Sequence, residues 1–166
     1  VNYKTLRGSW AGAFGNFQFM PSTIKNYAID YNDNKTIELK EPEDSFASAA
    51  NYLNKIGWKL NGHCFYKINL SDNIPINLLN TSAKKIKHKK KYKFYKEYIN
   101  NYNGPLISND EIVAIITPDK DIIPENQTLH PAYIVFSNYE IILSWNRSLR
   151  FALAVCTLKE KFVNAL

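Results

Sequence analysis

The chain has 166 residues, is 45% hydrophobic and carries a formal net charge of +6. This length suffices for one domain that buries roughly two-thirds of its unfolded surface in a core. Without a run of about 18 apolar residues, the sequence predicts no membrane-spanning segment. The three histidines and two cysteines do not repeat at zinc-ligand spacing. Cys64 and Cys156 are too few for a disulfide framework, so they can pair or stay apart.

The first 62 residues are predicted to form helices joined by short turns. Pro21 precedes one helix, and Pro42 is placed as the first residue of another, where the missing N–H of proline costs nothing. In this second helix, apolar residues recur at helical spacing from Phe46 to Ile56, which predicts one buried face. Gly57 stands where a left-handed C-terminal cap is expected.

Residues 63–110 are predicted to be polar and irregular, with a lysine run (residues 84–96) at their centre. Aromatic residues interleave with these lysines, a pattern that suits nucleic acid because bases stack on rings and lysines neutralise phosphates. No Gly-rich loop or nucleic-acid-binding module surrounds the run, which favours an ordinary solvated helix or loop.

The last third of the chain changes to β-branched runs at residues 111–117, 132–136 and 139–144. Turn residues separate these runs, so they are predicted to be short antiparallel strands. A closing helix is predicted from about Ser148. Four apolar residues share one face of it and are expected to be buried: Phe151, Val155, Leu158 and Phe162.

The most distinctive segment is residues 8–22, which read GSWAGAFGNFQFMPS. Its small residues let backbones approach each other closely, or let a ligand lie against the main chain. The aromatic rings and the amide of Gln18 suit sugars, whose ring faces are apolar and whose hydroxyls need paired donors and acceptors. A tight glycine-rich turn in the core explains the same residues equally well.

This segment resembles the signature string of the B-type lytic murein transglycosylase family, and residues 27–30, Tyr-Ala-Ile-Asp, are similar to the helix end that follows it. Residues 42–58 resemble the family's Ala-Asn-Tyr helix with its Gly-Trp ending. Residues 139–158, which include Trp-Asn-Arg-Ser at 145–148, are similar to a third block. Three separate blocks in the family's order make the resemblance specific, and the lysine run is not part of it.

The resemblance implies an α+β fold with a mainly helical, lysozyme-like core and a small antiparallel β-subdomain. Residues 1–166 are then one partial domain, in which 1–62 and 139–166 form the helical core and 63–138 form a basic insertion and a β-rich part. The implied partner is the peptidoglycan glycan strand of the bacterial periplasm or cell envelope. The lysine run would then be a basic surface facing an anionic wall.

The implied reaction is non-hydrolytic cleavage of the β-1,4 bond between N-acetylmuramic acid and N-acetylglucosamine, with no cofactor required. One glutamate protonates the leaving oxygen and then acts as base while the sugar's C6 hydroxyl attacks, which gives a 1,6-anhydro end. In the family this glutamate lies on a helix upstream of the signature string. Residues 1–7 contain no carboxylate, so the chain is expected to be a C-terminal fragment that is inactive alone.

The acidic residues Glu41, Glu43 and Asp44 are not expected to replace that glutamate, because they lie at a predicted helix start, where carboxylates favour the helix dipole. An inert peptidoglycan-binding remnant is therefore the alternative to an enzyme fragment. A basic nucleic-acid-binding module is a weaker alternative.

By resemblance, six residues occupy positions that contact the glycan or orient the glutamate: Ser9, Gln18, Tyr52, Trp145, Asn146 and Phe151. The amides of Gln18 and Asn146 are expected to bind acetamido and hydroxyl groups, and the rings to stack on sugars. Trp145 and Phe151 replace tyrosines of the family pattern, so phenolic hydrogen bonds are lost there. Core packing is the alternative for each ring, and it is favoured for Phe151.

A candidate calcium loop alternates oxygen-bearing residues as an EF-hand does, with Asp44 closing the site after Asp30, Asn32, Asn34 and Thr36. Such a lengthened loop resembles the family's calcium loop. Asparagine fills two places where charge helps, and Lys35 stands where glycine usually allows a left-handed turn, at a cost of about 1–2 kcal/mol. An ordinary polar turn is favoured, and any calcium affinity is expected to be millimolar.

Overall fold

The computed structural model describes residues 8–118 and 129–165. The chain divides into two compact units, one ending at Trp58 and the other beginning at Lys59. The first unit contains α1 (Pro21–Tyr27) and α2 (Pro42–Lys55). The described elements of the second unit are, in chain order, β1 (Phe65–Leu70), β2 (Leu79–Asn80), β3 (Lys90–Lys91), α3 (Tyr92–Tyr95), β4 (Ile99–Asn101), β5 (Ile112–Ile116), β6 (Ala132–Val135), α4 (Ser137–Trp145) and α5 (Leu149–Ala165). The predicted α+β class is confirmed, and the single-domain organisation stays a prediction.

The ends of the two helices of the first unit follow the predicted signals. Pro21 and Pro42 each begin a helix, where the fixed φ of proline suits the first turn. Gly57 follows α2 with φ +104°. The N–H of Gly57 donates to the carbonyl of Asn54, and the N–H of Trp58 donates to the carbonyl of Leu53. This is the Schellman arrangement that satisfies the last carbonyls of a helix.

The buried face of α2 differs from the prediction, which was wrong for Phe46 and Ala50. Phe46 is 64% exposed and Ala50 is exposed. The buried positions include small and polar residues: Asp44, Ser45, Ser48 and Ala49. Ser48 Oγ accepts a hydrogen bond from the N–H of Ile29 at 3.0 Å, and this contact explains why a serine is buried on this face. This face binds loop backbone through hydrogen bonds, and buried polar groups need such partners.

The sheet of the second unit has the strand order β2-β5-β6-β1-β4, with β3 also paired to β5. The pair β2–β5 is parallel and the other described pairs are antiparallel. The predicted strands at 111–117 and 132–136 are confirmed as β5 and β6. The prediction that 63–110 is irregular was wrong, because β1 to β4 come from it. Its buried side chains include Ile68, Leu70, Ile74 and Tyr95, which pack with Ile115 and Ile134 in one core.

The predicted strand at 139–144 is instead part of helix α4. Tyr139, Ile142 and Leu143 are buried, and their separations of three and four residues place them on one helical face. The β-branched residues of this run suggested a strand. Its burial follows the helical period, which is the stronger signal for an element packed on one side.

Helix α5 begins close to the predicted residue but buries a different face. The prediction was wrong for Leu158 and Phe162, which are 54% and 60% exposed. The buried residues are Leu149, Ala152 and Cys156. Cys156 forms a disulfide with Cys64, just before β1, with 6.0 Å between their Cα atoms. The small side chain of Ala152 and the disulfide of Cys156 allow the buried side of α5 to lie close to the start of β1. The hydrophobic pattern of the helix alone does not show which of its sides is buried.

Among the described residues, no helix reaches by itself the length and apolarity needed to cross a membrane. Only α4 and α5 together meet that criterion, and they are bent by 118° at the break between them.

Candidate functional site

Residues 8–20 form a compact segment of tight turns that leads into α1. Phe14 and Phe19 exchange two backbone hydrogen bonds of 2.9 and 2.8 Å. Gly15 lies inside this turn with φ +78°, and a Cβ added there would lie 2.6 Å from the carbonyl oxygen of Leu39. Glycine is therefore required twice, for the left-handed backbone and for the close approach. The turn explains the small residues, and glycan contact stays a prediction.

Two predicted glycan contacts, Ser9 and Gln18, are exposed and brace this turn. Ser9 Oγ accepts the N–H of Ala13 at 3.1 Å. Gln18 has a left-handed φ of +51°, and its Nε2 donates to the carbonyl of Gly15 at 2.9 Å. One side of the amide is thereby fixed. The amide oxygen of Gln18 accepts no hydrogen bond from the described residues and is available to a ligand.

The third predicted contact in this unit, Tyr52, belongs to an aromatic cluster. Its ring lies 5.9 Å from that of Phe19 and 4.9 Å from that of Tyr27. Desolvation raises the pKa of the Tyr52 hydroxyl, and Tyr27 adds to the effect. The phenol is therefore protonated at neutral pH and can donate a hydrogen bond.

The sequence reasoning missed an exposed ring, Phe46, that packs on the half-buried Phe17 in the first unit. Phe46 meets Phe17 edge to face, with 5.2 Å between the ring centroids. The ring of Phe46 therefore presents apolar surface on the open side of α2. The helical pattern itself was read as a buried face, so no sequence signal marked Phe46 as a surface ring.

The predicted contacts of the second unit lie where α4 passes into α5. Trp145 is the last residue of α4 and is partly buried, and Asn146 follows as an exposed cap. The side-chain amide of Asn146 makes no hydrogen bond with the described residues. Phe151 is 39% exposed, so the core packing favoured for it was wrong.

The buried side chain of Tyr139 stabilises the turn that carries Asn146. Tyr139 Oη donates to the carbonyl of Leu149 at 2.7 Å, which joins α4 to the start of α5. The N–H of Asn146 donates to Ile142 at 3.0 Å. Burial raises the pKa of Tyr139 far above its ordinary value, so its hydroxyl remains a donor. The amide of Asn146 is thus presented on a fixed backbone.

The six predicted contacts fall in both units. Ser9, Gln18 and Tyr52 belong to the first, whereas Trp145, Asn146 and Phe151 belong to the second. Their joint action on one glycan stays a prediction.

The acidic residues at the start of α2 do not have the surroundings of a general acid. Asp44 is fully buried, yet its pKa is lowered, because its carboxylate accepts the N–H of Glu38 and then that of Tyr31. An acid that must give a proton near neutral pH needs a raised pKa instead. Glu41 and Glu43 are exposed and therefore lie in no apolar pocket.

The candidate calcium loop has the turn expected of it. Asp30 accepts the N–H groups of Asn34 and Lys35 at 3.2 and 2.8 Å. The Oδ1 atom of Asn34 accepts the N–H of Thr36 at 2.8 Å. Lys35 has φ +72°, which confirms the left-handed position at which glycine is usual. Within residues 8–118 and 129–165, no three His, Cys, Asp or Glu side chains are grouped to hold a metal ion.

The lysine run is anchored by its apolar residues. Ile86, Tyr92 and Tyr95 are buried, and every lysine in the run is exposed. Burial raises the pKa of Tyr95 to about 12, and its hydroxyl donates to the carbonyl of His88. Two of the rings that suggested base stacking are therefore core residues, and Phe94 alone is exposed within the run.

Solved structures of lytic transglycosylases share this fold. SltB3 from Pseudomonas aeruginosa, in complex with NAG-NAM-pentapeptide, has a TM-score of 0.77 and 28% identity, covering 98% of this chain and 41% of that one. The Escherichia coli lytic transglycosylase Slt35, in complex with calcium, has a TM-score of 0.70 and 25% identity, covering 96% of this chain and 47% of that one. These similarities define the class as lysozyme-like lytic transglycosylases.

The chain belongs to the Transglycosylase SLT domain family, which it matches over residues 1–160. The family resemblance inferred from the three motif blocks is confirmed. The membrane-bound lytic murein transglycosylase B of Escherichia coli K12 is 49% identical over 53 residues, which are 32% of this chain and 15% of that protein. The chain thus spans less than half the length of these relatives.

Proposed function

We propose that the chain is part of a peptidoglycan lytic transglycosylase, which cleaves the bond between N-acetylmuramic acid and N-acetylglucosamine and leaves a 1,6-anhydro end. Membership of the Transglycosylase SLT domain family over residues 1–160 carries this proposal. The similarity to SltB3, which was solved with NAG-NAM-pentapeptide, supports a glycan strand of this kind as the substrate.

The proposed role of the described residues is to bind the glycan. Gln18 and Asn146 each offer exposed amide atoms that have no partner among the described residues, on turns that hydrogen bonds hold in place. Groups on an ordered backbone bind a ligand with a smaller loss of conformational entropy. The exposed ring of Phe46, packed on the half-buried Phe17, adds an apolar surface against which the face of a sugar can lie.

We further propose that no carboxyl group of the described residues acts as the catalytic acid. The lowered pKa of Asp44 keeps that group ionised, and Glu43 is exposed and accepts an amide hydrogen from Asn32. The described residues are therefore proposed to bind glycan strands without supplying the acid that cleaves them. General acid catalysis contributes roughly 10²–10⁴-fold, and here one group must serve as both acid and base.

The test is a calorimetric titration of purified glycan strands with two single variants, Gln18→Ala and Asn146→Ala. Each removes a neutral hydrogen-bonding group, so each is expected to weaken binding roughly 3- to 10-fold. Matched controls are Asn54→Ala and Asn109→Ala, which remove exposed amides outside the proposed contacts. Equal affinities for all four variants and the parent chain would reject the assignment of Gln18 and Asn146.

We propose calcium as a weak structural ligand of the loop at residues 30–36. Side-chain oxygens of Asp30, Asn32 and Asn34, the carbonyl of Thr36 and the carboxylate of Asp44 would hold it, and a bound ion would stabilise the loop without taking part in catalysis. The left-handed Lys35 and the oxygen-rich turn fit this role.

Millimolar calcium is then expected to raise the melting temperature slightly, and Asp30→Ala to abolish the rise. Asp72→Ala, at an exposed aspartate of the second unit, is the control and keeps the rise. A melting temperature that does not respond to calcium identifies the loop as an ordinary polar turn.

The proposed location is the bacterial periplasm or cell envelope. The disulfide Cys64–Cys156 supports it, because disulfides persist in oxidising compartments and are rare in the cytosol. Mass spectrometry of protein taken from its native cells, alkylated before and after reduction, tests this. Alkylation of both cysteines before reduction would contradict it.

A further inference from the structure

We propose that a cationic groove on the second unit binds the carboxylates of the peptide stems that peptidoglycan strands carry. The groove lies between residues 83–86 and helix α4 and has a volume of about 410 Å³. It is lined by Lys84, Lys85 and Arg147, together with Ile86, Glu140 and Leu143 among others. This inference rests on the proposed function and adds a second site to it.

The net charge of the chain falls in the second unit, which carries this groove. In residues 1–58 the basic and acidic residues are equal in number, so the whole net charge of +6 falls in the second unit. The lysine run supplies eight lysines and no acidic residue. A surface with one sign of charge attracts and orients ligands of the opposite sign.

Among the described residues, no carboxylate neutralises the three cations of the groove. Lys84, Lys85 and Arg147 are exposed, and no carboxylate of the described residues lies within salt-bridge distance of them. Glu140, the acidic residue among the described residues that line the groove, pairs with Lys89 at 3.1 Å. The groove therefore presents net positive charge to a ligand.

The wall that carries the two lysines is fixed from inside. Ile86 is buried in the second unit, and the N–H of Lys87 donates to Oδ1 of Asn80 at 2.6 Å. Asn80 is itself buried and donates to the carbonyl of Ile115 at 2.9 Å. A surface whose backbone is already ordered loses less entropy when it binds.

The neighbouring residues favour a peptide stem as the ligand. Arg147 directly follows Asn146, the proposed glycan contact, so a strand bound at Asn146 would bring an attached peptide towards the groove. The apolar side chains of Ile86 and Leu143 suit the methyl groups of such a peptide. The groove volume lies within the range of about 300–1,000 Å³ that is usual for small-ligand sites.

Nucleic acid fits the same charges less well. Single-stranded nucleic acids bind through stacking platforms of exposed aromatic rings beside the cations. Tyr92 and Tyr95 are buried, and none of the described residues that line the groove is aromatic. Carboxylates need only the cations, which the groove provides.

The test compares two triple variants that remove the same charge. The groove variant is Lys84→Gln/Lys85→Gln/Arg147→Gln. The control variant is Lys87→Gln/Lys93→Gln/Lys96→Gln, whose three side chains are exposed and lie outside the groove. The probes are glycan strands with peptide stems, the same strands after enzymatic removal of the stems, and the free pentapeptide.

The groove variant is expected to lose roughly tenfold in affinity for stem-bearing strands, since one exposed ion pair contributes up to about fivefold. Its affinity for stem-free strands should not change, and the control variant should bind stem-bearing strands like the parent chain. The free pentapeptide should bind the parent chain weakly and the groove variant more weakly still.

Three outcomes would overturn the inference: equal losses in both triple variants, no difference between the parent chain and the groove variant, or a DNA oligonucleotide that displaces the pentapeptide from the groove. If the proposed function is wrong, the parent chain does not bind stem-free strands. A groove variant that binds the free pentapeptide more weakly than the parent chain would still support the groove in that case.

Discussion

Removal of the disulfide is expected to destabilise the second unit strongly. The linked cysteines are 92 residues apart, and a cross-link that closes a loop of roughly 100 residues contributes about 4.7 kcal/mol in the chain-entropy account. Whole domains are stable by only about 5–15 kcal/mol. Cys64→Ala/Cys156→Ala should therefore lower the free energy of unfolding by about 4 kcal/mol. Alanine avoids placing a hydroxyl at two buried positions.

Urea denaturation measured by circular dichroism in oxidising and in reducing buffer provides the assay. The oxidised parent chain should be the most stable species, and the reduced parent chain should match the double variant in either buffer. Each single variant, Cys64→Ala or Cys156→Ala, controls for the side chains because it also lacks the bond. Oxidised and reduced curves that agree to within about 1 kcal/mol would refute the entropic reasoning.

Three further predictions concern buried backbone contacts. Asn138→Leu should cost about 3 kcal/mol in chemical denaturation, because the buried amide bonds the backbone of Lys59 and Gly62; a change below about 1 kcal/mol would contradict this. Gly15→Ala should lower the melting temperature, because the added Cβ would clash with Leu39 and because residue 15 has a positive φ. An unchanged melting temperature would contradict the close approach of the two backbones. The pKa of Asp44 is lowered on folding, so its stabilising effect is present above its unfolded pKa, about 3.9, and is lost as pH falls through the lower folded value. Melting temperature against pH should be flatter below pH 4 in Asp44→Asn, and parallel curves would count against this role.

Local signals in the sequence predicted the helix ends and two strands. Pro21, Pro42 and Gly57 act on the backbone within one turn, so their effect is independent of distant contacts. The same holds for the left-handed conformation at Lys35. The β-branched run at 112–116 became a strand because its sides pack against neighbouring strands in the core.

Long-range contacts explain the predictions that failed. The run at 139–144 was read as a strand, but Asn138 and Tyr139 hold it through bonds to Lys59, Gly62 and Leu149. The buried face of α5 depends on a disulfide to a residue 92 positions away. Periodicity gives the spacing of apolar residues, and it does not say which side meets the sheet.

The candidate site was predictable only where its residues lie in motif blocks. Gln18 and Asn146 were found through the family resemblance, and only the structure shows which of their amide atoms have no partner among the described residues. The cationic groove was not predictable, because its walls come from residues 83–86 and from α4, which are distant in sequence.

Cosedimentation with purified peptidoglycan sacculi measures the proposed glycan binding without a model ligand. The polypeptide of residues 1–166 should enter the pellet in a saturable manner, and Gln18→Ala/Asn146→Ala should shift a large part of it to the supernatant. Glycan binding through these two amides would be ruled out by a polypeptide that stays in the supernatant at every sacculus concentration, or by a double variant that pellets like the parent chain.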